Sequence, residues 1–211
     1  NVDYYERRTV RDSSLSAAVQ AVTAAEVGHL DLAYDYVYEA AQIDLLDIDH
    51  NSGDGMHIAS LASVWTALVA GFGGLREYEG QLSFAPQLPD RITRLSFTVQ
   101  WHGLRLVVDI EPGRATYRLR DKTDSRLAFR HHGEEVTMTA GKPVTVSICK
   151  RPPLLPRPPQ PPGRESLREG ESQGSSLPAG TPAAGGTSGL EGVPDGEVVE
   201  RVSAPGVVQA A

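Results

Sequence analysis

The segment Gly53-Asp54-Gly55-Met56-His57-Ile58-Ala59-Ser60 combines residue types suited to holding an anion. Glycines let backbone approach a ligand closely. They precede a helix start, where free N–H groups and the helix dipole favour negative charge. His57 and Ser60 stand three apart, so they project from one side of a first turn. Together they suit an oxyanion or phosphate pocket. The plainer reading of the same spacing is a helix cap and a packed histidine. Thr9-Val10-Arg11-Asp12-Ser13-Ser14 also joins hydroxyls and a cation to a helix N-terminus. Taken alone, it reads as an N-cap with a surface salt bridge.

Other candidates carry less. Asp44, Asp47, Asp49 and Asp54 could pair for acid–base work on sugars. Four acids in a connecting loop are more simply a solvated surface, and they lack the oxygen pattern of an EF-hand. His131-His132 does not suit a metal, because neighbours on a strand point to opposite faces. Cys149 is the single cysteine, which excludes an internal disulfide framework and a multi-cysteine metal site.

The first block, 1–77, is expected to be helical. Asp12 to Ser16 offers N-caps, and Leu15, Val19, Val22 and Val27 follow at near-helical spacing. Five alanines between Ala17 and Ala25 make this helix slim, and Gly28 is a natural stop. A second helix is expected from about Asp31 to Leu45, and a third from about His57 to Ala70. The third is apolar nearly all round, so it needs cover from a larger helical assembly. The second block, 78–149, reads as β. Residues 82–89 hold two prolines and read as an extended linker. Leu95, Phe97, Val99 and Trp101 then share a face, with a turn at His102-Gly103 and a return strand through Leu104, Leu106, Val108 and Ile110. Short strands follow around Tyr117, Phe129, Met138 and Val146, predicting a small antiparallel sheet or sandwich.

The third block differs in kind. All 13 aromatic residues of the 211 lie before residue 151, while 11 of the 15 prolines lie after residue 150. Without aromatics this stretch is expected to be a disordered Pro/Gly-rich tail, 150–211. The net charge of −7 argues against a nucleic-acid partner. No apolar run is long enough for a spanning helix. The chain starts at Asn1 with no basic and apolar leader, so a piece of something longer and a cytoplasmic location are the expectations.

Several segments in one order carry a resemblance: Asp3-Tyr4-Tyr5-Glu6, Thr9 to Ser16, Asp54 to Ser60, Gly71-Phe72-Gly73-Gly74-Leu75-Arg76, and Leu82-Ser83-Phe84-Ala85-Pro86-Gln87-Leu88-Pro89. Residues 1–149 resemble the C-terminal part of glycoside hydrolase family 65. Its members are inverting phosphorylases of maltose, trehalose, kojibiose and nigerose, with hydrolytic relatives. The resemblance implies an α+β multidomain fold: the last helices of an (α/α)6 barrel in 1–77 and a C-terminal β domain in 78–149. It implies that inorganic phosphate attacks the anomeric carbon while an upstream Glu protonates the glycosidic oxygen. It assigns phosphate binding to His57 and Ser60, with Gly55 as the backbone-approach position. Arg11, Ser13 and Ser14 take supporting places. Arg11 stands where many members have His, and Arg is a competent phosphate partner.

The implied partners are a disaccharide and phosphate, with no metal, no other cofactor, no membrane, and a homodimer in the full-length protein. The general acid and sugar-binding loops would lie upstream, so the chain alone is expected to be inert. Retention of His57 and Ser60 favours phosphorolysis. Hydrolysis, as in a trehalase-like relative, would need a water-activating carboxylate, and Asp54 lies nearby in sequence. A non-catalytic carbohydrate-binding or degenerate relative is the third reading, with Trp101 and Tyr117 as stacking platforms. Both fall on the apolar phase of their strands, which favours a core role.

Overall fold

The computed structural model describes residues 1–120 and 125–168. A short helix α1 (Val2–Glu6) leads into α2 (Ser16–Glu26), α3 (Leu30–Gln42) and α4 (Ile58–Thr66). The last of these widens into a π-helical turn over Ala67–Phe72. The slim helix packs as its composition suggests. Ala17, Ala18, Ala21, Ala24 and Ala25 are buried, facing a layer that includes Ala33, Tyr36, Val37 and Ala40 of α3. Val19 and Val27 stay on the outside. Small side chains let helix backbones come close, so the alanine face is the packed one. Gly71 belongs to the same contact, since a Cβ there would meet the Val22 Cα at 3.5 Å.

The third expected helix is covered less than its pattern demands. Ile58 is 66% exposed and Trp65 46% exposed. α4 packs on α2 and α3, and Trp65 meets the Phe97 ring edge-on at 6.3 Å, yet Ile58 and much of Trp65 stay open.

Among the described residues eight strands follow: β1 (Arg76–Tyr78), β2 (Gln81–Phe84), β3 (Leu95–Trp101), β4 (Leu104–Glu111), β5 (Arg114–Leu119), β6 (Arg126–His131), β7 (Glu134–Thr139) and β8 (Val144–Ser147). They form two four-stranded sheets, β1-β2-β6-β7 and β3-β4-β5-β8. Phe84 and Phe129 of one sheet meet Tyr117 of the other, with ring centroids 5.3 and 4.5 Å away. Alternation sets which side chains enter this layer. The expected His102-Gly103 turn has both residues at positive φ, +47° and +79°, as a type I′ hairpin requires.

Two expectations need correction. The first sheet is not wholly antiparallel, because β2 runs parallel to β6, with Ser83 opposite Arg130 and Phe84 opposite His131. So part of the 82–89 segment is a strand rather than a linker. Residues 151–168 form no helix or strand and are mostly exposed, yet several of their side chains and backbone groups are bonded onto the helices. Pro158 and Ser166 are buried. Arg157 pairs with Asp35 at 2.9 Å, and Gln160 donates to the Tyr36 hydroxyl at 2.7 Å. Composition missed this because the strap is held by polar anchors and not by aromatic burial. The remainder of the expected tail, 169–211, lies outside the described residues.

The sandwich is tied to the helices by backbone. Gln87 N–H donates to the Phe72 carbonyl at 2.8 Å, and Ala85 N–H to the Gly74 carbonyl at 3.1 Å. Gly74 lies at φ +60°, and a Cβ there would fall onto the Ala85 backbone. Only glycine fits this crossing.

Candidate functional site

Three element ends meet on one side of the helical layer: the start of α2, the exit of α3 and the start of α4. The candidate residues sit on these ends. His57 occupies the N-cap position of α4. Its ring and backbone are both held by Asp44, two residues beyond α3. The His57 Nδ1 lies 2.6 Å from Asp44 Oδ1, and the His57 backbone N–H donates to Asp44 Oδ2 at 3.0 Å. The pair is mostly covered, with side chains 19% and 12% exposed.

Ser60 is fully buried, and its hydroxyl donates to the Ser14 carbonyl at 2.9 Å. Its proton is therefore committed to backbone. Ser60 joins the start of α4 to the segment that opens α2, which brings His57 and the Ser13-Ser14 pair into one neighbourhood. Ser13 lies exposed, with its hydroxyl oxygen accepting the Leu15 N–H at 3.3 Å. Gly55 lies exposed at φ +133° and ψ 167°, a conformation essentially reserved for glycine. The loop reaches α4 through this residue.

Arg11 is placed differently from the other candidates. Its side chain is only 7% exposed. One guanidinium nitrogen straddles the Glu39 carboxylate at 2.9 and 3.0 Å, and another donates to the Arg164 carbonyl in the strap. It also sits over the Tyr36 ring, 5.0 Å from the centroid. Arg11 thus fixes the approach to α2 instead of offering a free cation. Arg11, Ser13, Ser14, Glu39 and Asp49 border a small hollow of about 30 Å³.

The acidic loop divides. Asp54 is exposed in the turn before Gly55. Asp47 accepts the Ser52 N–H at 2.9 Å, and these bonds hold its carboxyl below the usual range. Asp44 alone of the four touches His57, and sequence reasoning passed over it as surface. A signal was present: a carboxylate at a helix C-terminus faces the negative end of the dipole, so it needs a donor from elsewhere.

Tyr117 is fully buried between Phe84, Phe129 and His131, so it is not a stacking platform. His131 is buried, accepting from or donating to the Tyr117 hydroxyl at 2.8 Å, with its other nitrogen 3.2 Å from the Ser147 carbonyl. Among the described residues no group of three His, Cys, Asp or Glu side chains could hold a metal. No helix among them is long and apolar enough to cross a membrane. A larger cleft of about 460 Å³ lies at the opposite end of α2 and α3, bordered by His29, Gln87, Glu111, Arg151 and Arg157.

Residues 1–66 match the glycosyl hydrolase family 65 central catalytic domain, and 75–138 match the C-terminal domain of that family. An uncharacterized glycosyl hydrolase of Mycobacterium tuberculosis is 59% identical over 79% of this chain and 21% of its own length. The alpha,alpha-trehalose phosphorylase of Thermoanaerobacter brockii is 43% identical over 56% of this chain and 15% of its own length. A solved structure assigned provisionally as a kojibiose phosphorylase from the human microbiome superposes with TM-score 0.64 and 26% identity, over 70% of this chain and 20% of that one. The chain therefore spans about a fifth or less of the length of these relatives.

Proposed function

Because this chain belongs to glycosyl hydrolase family 65, matching the end of its catalytic domain and its C-terminal domain, we propose that it supplies the phosphate side of an inverting disaccharide phosphorylase. In this reading inorganic phosphate lies at the start of α4. His57 meets one phosphate oxygen, and the backbone around Gly55 and the hydroxyls of Ser13 and Ser14 meet others. Ser60 keeps the two segments together through the Ser14 carbonyl. Phosphate attacks the anomeric carbon of an α-glucosidic disaccharide from the face opposite the leaving sugar. A carboxylic acid from outside this chain gives its proton to the glycosidic oxygen. The C1–O bond breaks as the C1–O(phosphate) bond forms, which yields β-glucose 1-phosphate and a free sugar.

The observation that carries this reading is a series of two bonds, Asp44–His57 and Ser60–Ser14, which tie the exit of α3 and the start of α2 to the start of α4. The same series weighs against hydrolysis. A hydrolase needs a free carboxylate to activate water. Asp44 is engaged with His57, and Asp54 is turned out to solvent. Several relatives named as phosphorylases of trehalose and kojibiose point the same way. The sandwich is a structural partner of the helices in this reading, not a sugar-binding module.

The test is product analysis on the longer polypeptide that carries this chain. Trehalose, kojibiose, maltose and nigerose are supplied with and without inorganic phosphate. Release of β-glucose 1-phosphate only when phosphate is present supports the reading. Equal release of glucose without phosphate replaces it with hydrolysis.

A further inference from the structure

Asp44 sits where a carboxylate is least welcome on local grounds. The helix before it ends at Gln42, so the carboxylate faces the negative end of the α3 dipole. Its side chain is mostly covered. Two donors offset this, and both belong to His57: the ring Nδ1–H at 2.6 Å and the backbone N–H at 3.0 Å. An ionised carboxylate only accepts, so Nδ1 must carry the hydrogen. The neutral imidazole is then the Nδ1–H form, and Nε2 is the nitrogen left for a ligand.

We propose that Asp44 is a positioning residue for phosphate: it fixes the ring of His57 through Nδ1, so that Nε2 meets the phosphate oxygen. The inference rests on the phosphate reading of the α4 start. Its chemistry balances in either ionic state. An imidazolium donates its Nε2–H to a phosphate dianion, and a neutral ring accepts the O–H of a phosphate monoanion. One proton lies between Nε2 and oxygen in both cases. Without the carboxylate the ring is free to rotate or to carry its hydrogen on Nε2 alone, and a neutral Nε2–H ring cannot accept from the monoanion. The second bond, to backbone, sets the N-cap geometry of α4 at the same time. Position and tautomer are thus fixed by one side chain thirteen residues away.

The tautomer is read directly by two-dimensional ¹H–¹⁵N spectra of the histidine ring in the 211-residue chain, which needs no catalysis and no variant. The expected result is a protonated Nδ1 with Nε2 free of hydrogen in the neutral form. A bare Nδ1 with hydrogen on Nε2 overturns the inference. Kinetics in the longer polypeptide supply the second readout. Asp44→Asn is expected to raise the KM for inorganic phosphate roughly ten- to hundredfold, as loss of an orienting partner commonly does. The KM for the disaccharide should move less than about threefold, since a single orienting contact acts on its own ligand. Equal losses for both substrates, or no change for phosphate, overturn it. His57→Ala separates the two ideas. If it leaves the phosphate KM unchanged, the phosphate reading itself fails, whatever the tautomer spectrum shows.

Discussion

Gln160 donates to the Tyr36 hydroxyl at 2.7 Å across 124 residues of sequence. The Tyr36 proton goes in turn to the buried Glu6 carboxylate, which also accepts from Gln20 and Gln160 at 3.2 Å. Burial and the neighbouring Glu6 push the tyrosine pKa well above its ordinary range. The strap therefore helps to solvate a carboxylate that the helices alone would leave short of donors. Gln160→Ala is expected to cost about 1–2 kcal/mol, the usual penalty for an under-satisfied buried acceptor. That lowers the melting temperature by roughly 2–8 °C. Gln160→Glu should cost more at neutral pH, since it sets a second negative charge beside Glu6. Thermal unfolding of the three proteins checks the order. Equal melting temperatures would mean that the strap holds nothing.

The strap also reaches the site end. Leu167 N–H donates to Glu39 at 2.9 Å, and Glu39 in turn holds Arg11. Removing residues 150–211 is expected to loosen the approach to α2 as well as lower stability. In the longer polypeptide this should appear as a higher phosphate KM in the truncated form, measured by initial rates below its unfolding temperature. An unchanged KM would confine the strap to a stabilising role.

Much of this architecture was legible and some was not, for physical reasons. The hairpins were readable because period-two alternation and a positive-φ turn such as His102-Gly103 are local. The parallel pairing of β2 with β6 was not, since Phe84 and His131 meet only through the tertiary fold. The candidate loop was found from Gly55, His57 and Ser60 because their types cluster. Asp44 escaped because its partner lies thirteen residues on, past a loop whose acids mostly face water. The order of 151–168 escaped because Arg157 and Gln160 find their partners in α1 and α3, far along the chain. Arg11 was identified as a cation near the site, yet its charge is spent on Glu39.

Acid should weaken the fold. Burial holds His131 and His132 below the ordinary imidazole range, and His29 is lowered by burial and by Arg157. The folded chain resists taking up these protons, while the unfolded chain takes them up near pH 6.5. Their contribution is therefore complete above about pH 6.5 and is lost as pH falls through the lowered folded values. Melting temperatures at pH 7.5 and 5.5 should differ in that direction. His132 sits at φ +50° with both ring nitrogens buried. His132→Asn suits that backbone and removes one titrating group, so its pH dependence should be flatter. A steeper dependence would refute this account.

Gly74→Ala tests the joint between helices and sandwich. The added Cβ meets the Ala85 backbone and must also adopt φ +60°. Backbone cannot yield as a flexible side chain does, so about 1–3 kcal/mol of destabilisation is expected from the conformation alone, and the clash adds to it. Gly80→Ala is the control. It shares a positive φ of +74° but nothing lies within 4 Å of its new Cβ. A smaller loss for Gly80→Ala, read by urea unfolding, isolates the steric part. Equal losses would show that the Ala85 contact relaxes freely.

The isolated 211-residue chain is expected to turn over no disaccharide. Phosphorolysis needs a proton donor facing the nucleophile across the scissile bond. Near His57, Asp44 is engaged with the ring, and Asp54 is exposed to solvent. The helical layer is also open where Ile58 and Trp65 stand 66% and 46% exposed. An apolar face of that kind needs cover before a pocket can exclude water. The purified chain should bind a hydrophobic dye, and its tryptophan emission should respond strongly to a soluble quencher through Trp65. The longer polypeptide should do both less and release β-glucose 1-phosphate. Phosphate-dependent turnover by the isolated chain would require an acid within these residues and would overturn the division of labour proposed for the site.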